Sequence, residues 1–348
     1  MIRACGILSL LCVAALAASG ARAGERQILR IYAWSEFFDG DVLAEFEERH
    51  DCMVAVNTFD SNEGMLRELR DDASPPYDIV TPSSYITPEM KRQGMLLPIE
   101  RALIPNLRNL DADYVARFSE DPEFSHSVPY ARTVAGIGHN ASLPRDAARS
   151  WSLFGDPRFA GRMTMLDDMR ESMGAALKHL GHSLNSTDPG ELAEAGRVLA
   201  AWGGNIAKFE VDEGNIGLMT GEYVAAHGYN GDVLVLMAEH ENIGFFVPEE
   251  GSAVSTDVFV VLASSRGKDL AHAFINHMLD ADVAARNMAS IQYYMPIPEA
   301  VAKLDASLQA NPAFAVPAAT IEKCEVIRDL GPDTEKYEQV WKTVVTPE

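Results

Sequence analysis

Aromatic rings and carboxylates that follow predicted strands are the side chains in this sequence best suited to chemistry. The rings, which attract a cation and lie well against a methylene chain, belong to Trp34, Tyr85 and Tyr229. The carboxylates, which form short charge-assisted hydrogen bonds to ammonium groups, belong to Asp168, Glu171 and Asp257. Together they suit a ligand that is both apolar and multiply positive. The same residue types also pack in cores or cover acidic surfaces, and their spacing alone does not decide between these roles.

No catalytic motif accompanies these side chains. The sequence contains no G-x-S-x-G nucleophile elbow, no H-E-x-x-H zinc motif and no G-x-x-x-x-G-K-[ST] phosphate loop. His179 and His182 stand three residues apart on a predicted helix, but no acid at ligand spacing joins them. We therefore expect a protein that is not an enzyme and that has no cofactor or metal site.

The elements that must position these residues alternate between short apolar runs and amphipathic helices. In the first block, strands are predicted at 28–34, 53–57 and 78–81, with helices between them. Asp60, with Glu63 three residues later, resembles a capping box at the start of the second helix. This β-α-β-α-β order is typical of a parallel sheet covered by helices, in which ligands bind beyond the carboxyl ends of the strands.

A second alternating block follows the segment SVPYARTVAGIGHN. Its strands are predicted at 162–166, 205–209, 222–229 and 243–247, and in the β-branched segment 252–265. Its helices are predicted at 168–180, 189–202, 269–279 and 283–291. Because the chain is longer than a single core usually supports, two α/β blocks predict two lobes.

The first 23 residues have the pattern of a secretory signal peptide, with Arg3, an apolar run at 7–18 and an A-x-A site at 21–23. No later apolar stretch reaches the roughly 20 residues that a transmembrane helix needs. We therefore expect an exported protein that does not span the membrane. Its net charge of −22 repels nucleic acid and attracts cations, so we expect no nucleic-acid partner.

Ordered segments along the chain resemble the periplasmic spermidine/putrescine-binding proteins of bacterial ABC importers. The likeness runs over about 29–341 and includes IYAWSEFF, FDSNEGMLRELR, YDIVTPSSYITPEMKRQGML, SVPYARTVAGIGHN, LDDMRESMGAALKHLGHSLNSTDPGEL, YNGD, STDVFVV and YYMPIPEAV. The resemblance implies a type II periplasmic-binding-protein fold, in which each of two lobes is a mainly parallel sheet flanked by helices. It places a signal peptide at 1–23, lobe one at 25–133 and 259–303, and lobe two at 134–258 and 304–348. Hinge strands would lie near 130–137 and 254–260.

The same resemblance implies a ligand site, residue by residue. The implied substrate-binding residues are Trp34, Ser35, Ser83, Tyr85, Asp168, Glu171, Tyr229, Asp257 and Tyr294. By this likeness Trp34 would stack on a polyamine, and Asp257 would anchor one of its amines. Tyr229 stands where the family commonly has Trp, and Tyr294 lies near a Tyr that binders of shorter diamines use.

Two positions depart from the family pattern. Ser255 stands where an aromatic residue is usual, and Val326 with Ile327 stands where some members have a Trp-Gln pair. The loss of one stacking wall would remove about 1 to 2 kcal/mol, or roughly a tenfold change in affinity. The class of ligand is therefore better predicted than its identity.

The function implied by the resemblance is capture of putrescine or spermidine between the lobes of a periplasmic monomer. The closed form would deliver the polyamine to an ABC permease complex in the inner membrane, without covalent chemistry. The alternatives are a changed pocket for another cationic or amino-bearing solute, and a ligand-sensing subunit for a receptor. The sequence leaves open which polyamine binds, and whether Cys52 and Cys324 form a disulfide.

Overall fold

The computed structural model describes residues 26–72, 74–211 and 213–345. The predicted signal peptide at 1–23 lies outside these ranges. Within them, no helix is long and apolar enough to cross a membrane.

Strands in the described residues join into one mixed sheet. They are β1 (Gln27–Ala33), β2 (Cys52–Thr58), β3 (Ile79–Val80), β4 (Ser127–Asn140), β5 (Met163–Leu166), β6 (Lys208–Glu210), β7 (Ala225–Tyr229), β8 (Ile243–Phe246), β9 (Ala253–Val261) and β10 (Glu325–Val326). Their order is β2-β1-β3-β9-β4-β7-β5-β6, with β10 beside β9 and β8 beside β4. β1 is parallel to β2 and β3, and β5 is parallel to β6 and β7, whereas β4 and β9 are antiparallel to each other.

Helices cover both faces of this sheet. They are α1 (Gly40–His50), α2 (Asn62–Asp71), α3 (Thr87–Arg92), α4 (Ala112–Phe118), α5 (Met169–His179), α6 (Pro189–Gly203), α7 (Glu213–Thr220), α8 (Asn230–Glu239), α9 (Lys268–Met278), α10 (Ala281–Ile291), α11 (Pro298–Val301), α12 (Ala306–Gln309), α13 (Ala318–Ile321) and α14 (Thr334–Val345). The capping box predicted at Asp60 is wrong by one residue, because Ser61 caps α2 by accepting a hydrogen bond from the Gly64 amide at 3.1 Å.

The two largest hydrophobic clusters among the described residues lie in different lobes. One core packs β1 against α1, α9 and α10, with Leu29, Phe46 and Phe274 fully buried. The other core packs β5 and β7 against α5 and α6 around Trp151 and Leu177. The predicted α/β class with two lobes is confirmed, while the lobe boundaries remain a prediction.

Strands β4 and β9 connect the two lobes. Residues 127–134 of β4 pair with β9, whereas residues 135–140 pair with β7 and β8. The register between β4 and β9 shifts between Pro129 and Ala131, as expected because proline has no amide hydrogen to donate to the ladder. The same strand therefore belongs to the sheet of both lobes.

Candidate functional site

The carboxyl ends of four strands bring most of the predicted site residues to the junction of the lobes. Trp34 follows β1, Ser83 and Tyr85 follow β3, Asp168 follows β5, and Tyr229 ends β7. In open α/β sheets this edge is where ligands bind, because the loops after the strands converge there. The structure therefore gathers in space residues that the sequence spreads over nearly 200 positions.

Asp257 is a buried carboxylate of β9 at this junction, with 2% of its surface exposed. The hydroxyl of Ser83 donates to its Oδ1 atom at 2.7 Å. Burial raises the pKa of Asp257 to about 7, and the charge of Asp232 adds to this effect, whereas Ser83 and Trp34 lower the pKa. Ionisation of Asp257 near neutral pH is thus favoured by a nearby cation.

Trp34 lies half-buried beside Asp257. Its ring contacts Phe59, with 4.4 Å between the ring centroids and 56° between the planes. Its buried Nε1 atom faces the Asp257 carboxylate and, as a hydrogen-bond donor, lowers the pKa of that group. Ser35, which follows it, lies exposed in a turn.

Asp168 and Glu171 form an acidic pair at the start of α5. The Oδ1 atom of Asp168 accepts hydrogen bonds from the amides of Arg170 at 2.8 Å and Glu171 at 3.0 Å. Glu171 is 4% exposed, and no described residue forms a hydrogen bond with its Oε2 atom. Burial and the charge of Asp168 raise the pKa of Glu171 well above its ordinary value. A buried carboxylate without such a hydrogen bond is stabilised in its ionised form by a positively charged partner.

Tyr85 connects the first lobe to this acidic pair. Its hydroxyl accepts a hydrogen bond from Asn62 Nδ2 at 3.1 Å and donates one to Glu63 Oε1 at 3.3 Å. Burial and the charge of Asp168 raise the pKa of Glu63 to about 7. Glu63 therefore belongs to the same charged cluster.

Tyr229 and Tyr293 border the site on the side of α8. The Tyr293 hydroxyl donates to Asp232 Oδ1 at 2.6 Å, and Asp232 in turn acts on the pKa of Asp257. Tyr229 is half-buried where β7 meets α8, and burial followed by the charge of Glu171 raises its pKa. The carboxylates of Asp232, Asp257 and Glu171 and the two phenol rings thus lie close together at this junction.

Sequence reasoning did not assign Glu63, Asp232 or Tyr293 to the site. Glu63 was predicted to help cap a helix, whereas Asp232 and Tyr293 lie in the segments YNGD and YYMP, which carried the family resemblance. The sequence signal for Asp232 was its place next to a turn-like segment, and the signal for Tyr293 was its place next to Tyr294.

The structure does not bring Tyr294 to the acids. The Arg132 Cζ atom lies 4.3 Å from the centre of the Tyr294 ring, and the Phe314 ring centroid lies 5.8 Å away. Its role as a binding residue remains a prediction. Ser255 is buried in β9. Ile327 is buried in one hydrophobic cluster with Tyr85.

Arg170 places a buried guanidinium beside the acids. It is 2% exposed, and it donates to the Arg328 carbonyl at 2.9 Å and to Asn185 Oδ1 at 2.8 Å. Its Cζ atom lies 5.8 Å from the centre of the Tyr85 ring. The carboxylates at this junction are those of Glu63, Asp168, Glu171, Asp232 and Asp257. One guanidinium offsets only part of their charge, so the cluster suits a ligand with several positive centres.

An ion pair bridges the lobes at the edge of the junction. The Arg92 guanidinium lies 2.8 Å from Asp329 Oδ2. Arg92 is on α3, where Met90 packs in the first lobe, whereas Leu330 beside Asp329 packs against the core of the second lobe. The two lobes therefore contact each other both at the buried cluster and at its rim.

Other candidate groups lie apart from this cluster. His179 is 3.6 Å from Glu250, and His182 is 3.3 Å from Glu191. Cys52 and Cys324 are both free. In the described part of the chain, no group of three or more His, Cys, Asp or Glu side chains is arranged to hold a metal ion.

Comparison with known proteins gives a consistent assignment. Residues 41–316 match the family described as bacterial extracellular solute-binding protein. The chain is 31% identical over 332 residues to the spermidine/putrescine-binding periplasmic protein of Escherichia coli strain K12, covering 94% of each chain. It is also 31% identical over 336 residues to the putrescine/cadaverine-binding protein of Pseudomonas aeruginosa, covering 92% of this chain and 94% of that protein.

Solved structures share the fold. The TpPotD lipoprotein of Treponema pallidum superposes with a TM-score of 0.83 at 33% identity, covering 91% of this chain and 99% of that one. The spermidine/putrescine ABC transporter substrate-binding protein PotD of Streptococcus pneumoniae superposes with a TM-score of 0.78 at 28% identity, covering 92% of this chain and 100% of that one.

Proposed function

Because the chain belongs to the bacterial extracellular solute-binding proteins, we propose that it captures a polyamine between its lobes for an ABC importer. Membership places it among solute-binding proteins rather than enzymes. The observation that carries the proposal is the convergence of five carboxylates and several aromatic rings on one buried junction. The relatives named as spermidine/putrescine-binding and putrescine/cadaverine-binding proteins support this ligand class.

Each end of the proposed ligand meets a different pair of acids. One ammonium lies with Asp257 and Asp232, and another with Asp168 and Glu171, so that buried carboxylates gain charge-assisted hydrogen bonds. The methylene chain between the two ammonium groups lies against the ring of Trp34, because an aromatic face attracts both apolar groups and cations.

Electrostatics favours a cation with at least two charges. The carboxylates are held away from water, and their raised pKa values reflect the free energy of ionising them there. A ligand with an ammonium at each pair of acids removes that penalty at both pairs, whereas a monoamine removes it at only one pair. Binding of a diamine or triamine is thus the arrangement that the acids suit best.

The proposal also includes where the protein lies in the cell and which protein complex it contacts. The predicted signal peptide and the periplasmic relatives support a periplasmic protein that presents its ligand to a permease complex in the inner membrane. In this proposal the lobes comprise 25–133 with 259–303 and 134–258 with 304–348, and they close on the ligand by bending β4 and β9.

Calorimetric titration of residues 24–348 tests the ligand class. Putrescine, cadaverine, agmatine, spermidine and spermine are titrated separately, and we expect submillimolar dissociation constants for at least one of them. Competition with amino acids and simple guanidines tests the alternative of another amino-bearing solute, which Ser255 favours because the family usually has an aromatic residue there. Absence of binding by all five amines would refute the proposal.

A further inference from the structure

We infer that Glu63 of α2 is a specificity-determining residue, which binds a ligand ammonium from the first lobe while Asp168 binds it from the second. The inference rests on the proposed function and adds to it a carboxylate on the opposite side of the cleft from Asp168 and Glu171. It predicts a preference for ligands that place a positive centre between the lobes.

The fold of α2 directs Glu63 toward the cleft. Ser61 caps this helix, so Glu63 occupies its first turn, five residues after the carboxyl end of β2. The Tyr85 hydroxyl donates to Glu63 Oε1 at 3.3 Å, and Asn62 Nδ2 donates to the same hydroxyl at 3.1 Å. A chain of hydrogen bonds thus fixes Glu63 beside a residue already placed in the site.

The second lobe presents its own charges to the same point. The Arg170 Cζ atom lies 5.8 Å from the centre of the Tyr85 ring, and the Arg170 amide donates to Asp168 Oδ1 at 2.8 Å. Glu63 is consequently faced by Tyr85 and Asn62 from its own lobe, and by Asp168 and Arg170 from the other.

Two carboxylates from different lobes repel each other when the lobes approach. The effect is visible in Glu63, where burial and then the charge of Asp168 raise the pKa to about 7, although Arg170 partly offsets it. A cation placed between the two carboxylates converts this repulsion into attraction on both sides. Glu63 thereby makes closure of the lobes depend on the charge of the ligand.

Glu63→Gln tests this role, because glutamine has nearly the same shape and still accepts the Tyr85 hydrogen bond. Glu68→Gln is a matched control: Glu68 lies on the same helix and accepts a hydrogen bond from Tyr32 at 2.6 Å. Putrescine and spermidine are titrated into each variant and into the wild type at pH 7. We expect Glu63→Gln to weaken binding about tenfold or more, and Glu68→Gln to change it less than about twofold.

A second readout separates ligand contact from a purely structural role. Titrations in two buffers of different ionisation enthalpy count the protons released on binding. Because a cation drives the proton off a carboxyl with a pKa near 7, we expect Glu63→Gln to release fewer protons than the wild type and Glu68→Gln to release the same number. Glu63→Asp, which keeps the charge on a shorter side chain, is expected to have intermediate affinity.

The outcomes are distinct. If the wild type binds a polyamine but Glu63→Gln matches Glu68→Gln in affinity and proton release, Glu63 is not a ligand residue and the proposed function stands. If the wild type binds none of the amines, the proposed function fails and this inference fails with it.

Discussion

At the scale of single residues, Asp257 shows how burial prepares an acid to bind a cation. Its folded pKa of about 7 lies above that of an unfolded aspartate, so the protonated form is favoured by folding. The stabilising contribution is fully present below about pH 4 and is lost as the pH rises to about 7. Ionisation of Asp257, the residue proposed to bind the ligand, therefore destabilises the ligand-free protein at neutral pH.

Asp257→Asn is expected to reverse these effects. Without ligand, the variant gains stability over the wild type as the pH rises from 4 to 7, up to about 4 kcal/mol, because an amide does not ionise. Its affinity for polyamines falls about thirtyfold or more, since an ammonium loses its charged partner. Thermal melts between pH 4 and pH 8, with and without ligand, measure both effects. A pH-independent difference in stability would contradict the role of ionisation.

Trp34→Ala is expected to weaken polyamine binding about tenfold, through loss of about 1 to 2 kcal/mol of cation–π and contact energy. Trp34→Phe keeps a ring and is the control, with a smaller loss expected. Calorimetric titration measures both variants. Equal affinity of Trp34→Ala and the wild type would show that the ring packs on Phe59 without touching the ligand.

Acids at strand ends were easier to predict than the choice between two neighbouring tyrosines. Asp257, Asp168 and Glu171 followed from acids at strand ends and from family motifs, and the structure places all three at the junction. Tyr293, which donates to Asp232, was not predicted for the site, whereas its neighbour Tyr294 was. Neighbouring residues in extended backbone point to opposite sides, and a resemblance does not fix which of them faces the site.

At the scale of elements, α1, α2, α5, α6, α9 and α10 were predicted from their periodic patterns, whereas α8 was not. The residues Tyr229, Asn230 and Gly231 have the composition of a turn, yet α8 begins at Asn230. Tertiary packing explains the difference. Asn230 is fully buried, donates to the Ala313 carbonyl at 2.8 Å and accepts from the Val134 amide at 2.9 Å, and so fixes the helix start.

Gly231→Ala is expected to disturb the site through this helix start. A methyl group at residue 231 would lie 2.4 Å from the Tyr293 ring, so the ring must move away from Asp232. We expect a loss of about 1 to 3 kcal/mol in stability, together with weaker binding. Gly228→Ala is the control, because no atom lies within 4 Å of its added methyl group. Chemical denaturation of both variants measures the effect, and equal stabilities would contradict it.

At the scale of the whole molecule, contacts between distant parts of the chain join the two lobes. The fold class and two lobes followed from the alternation of strands and helices together with the family motifs. The pairing of Arg92 with Asp329 did not, because it joins residues more than 200 positions apart that only the packed lobes bring together.

Asp329→Asn is expected to weaken ligand binding by less than about fivefold, because water and salt screen an exposed ion pair at the rim. The effect should disappear in high salt, which screens exposed charges. Asp282→Asn removes an ion pair with Lys303 inside the first lobe and should leave affinity unchanged. Titrations at low and high ionic strength compare the two, and a salt-independent loss would point to a structural change instead.

The pairing of β3 with β9 also limits how early the first lobe can fold during synthesis of the chain. β3 pairs with β9, so the first lobe's sheet joins residues 79–80 to residues 260–261. A chain emerging from its N-terminus lacks that partner until more than two-thirds of it has been made, and long-range pairing of this kind is slow. The sheet of the first lobe can therefore be completed only after most of the chain has been synthesised.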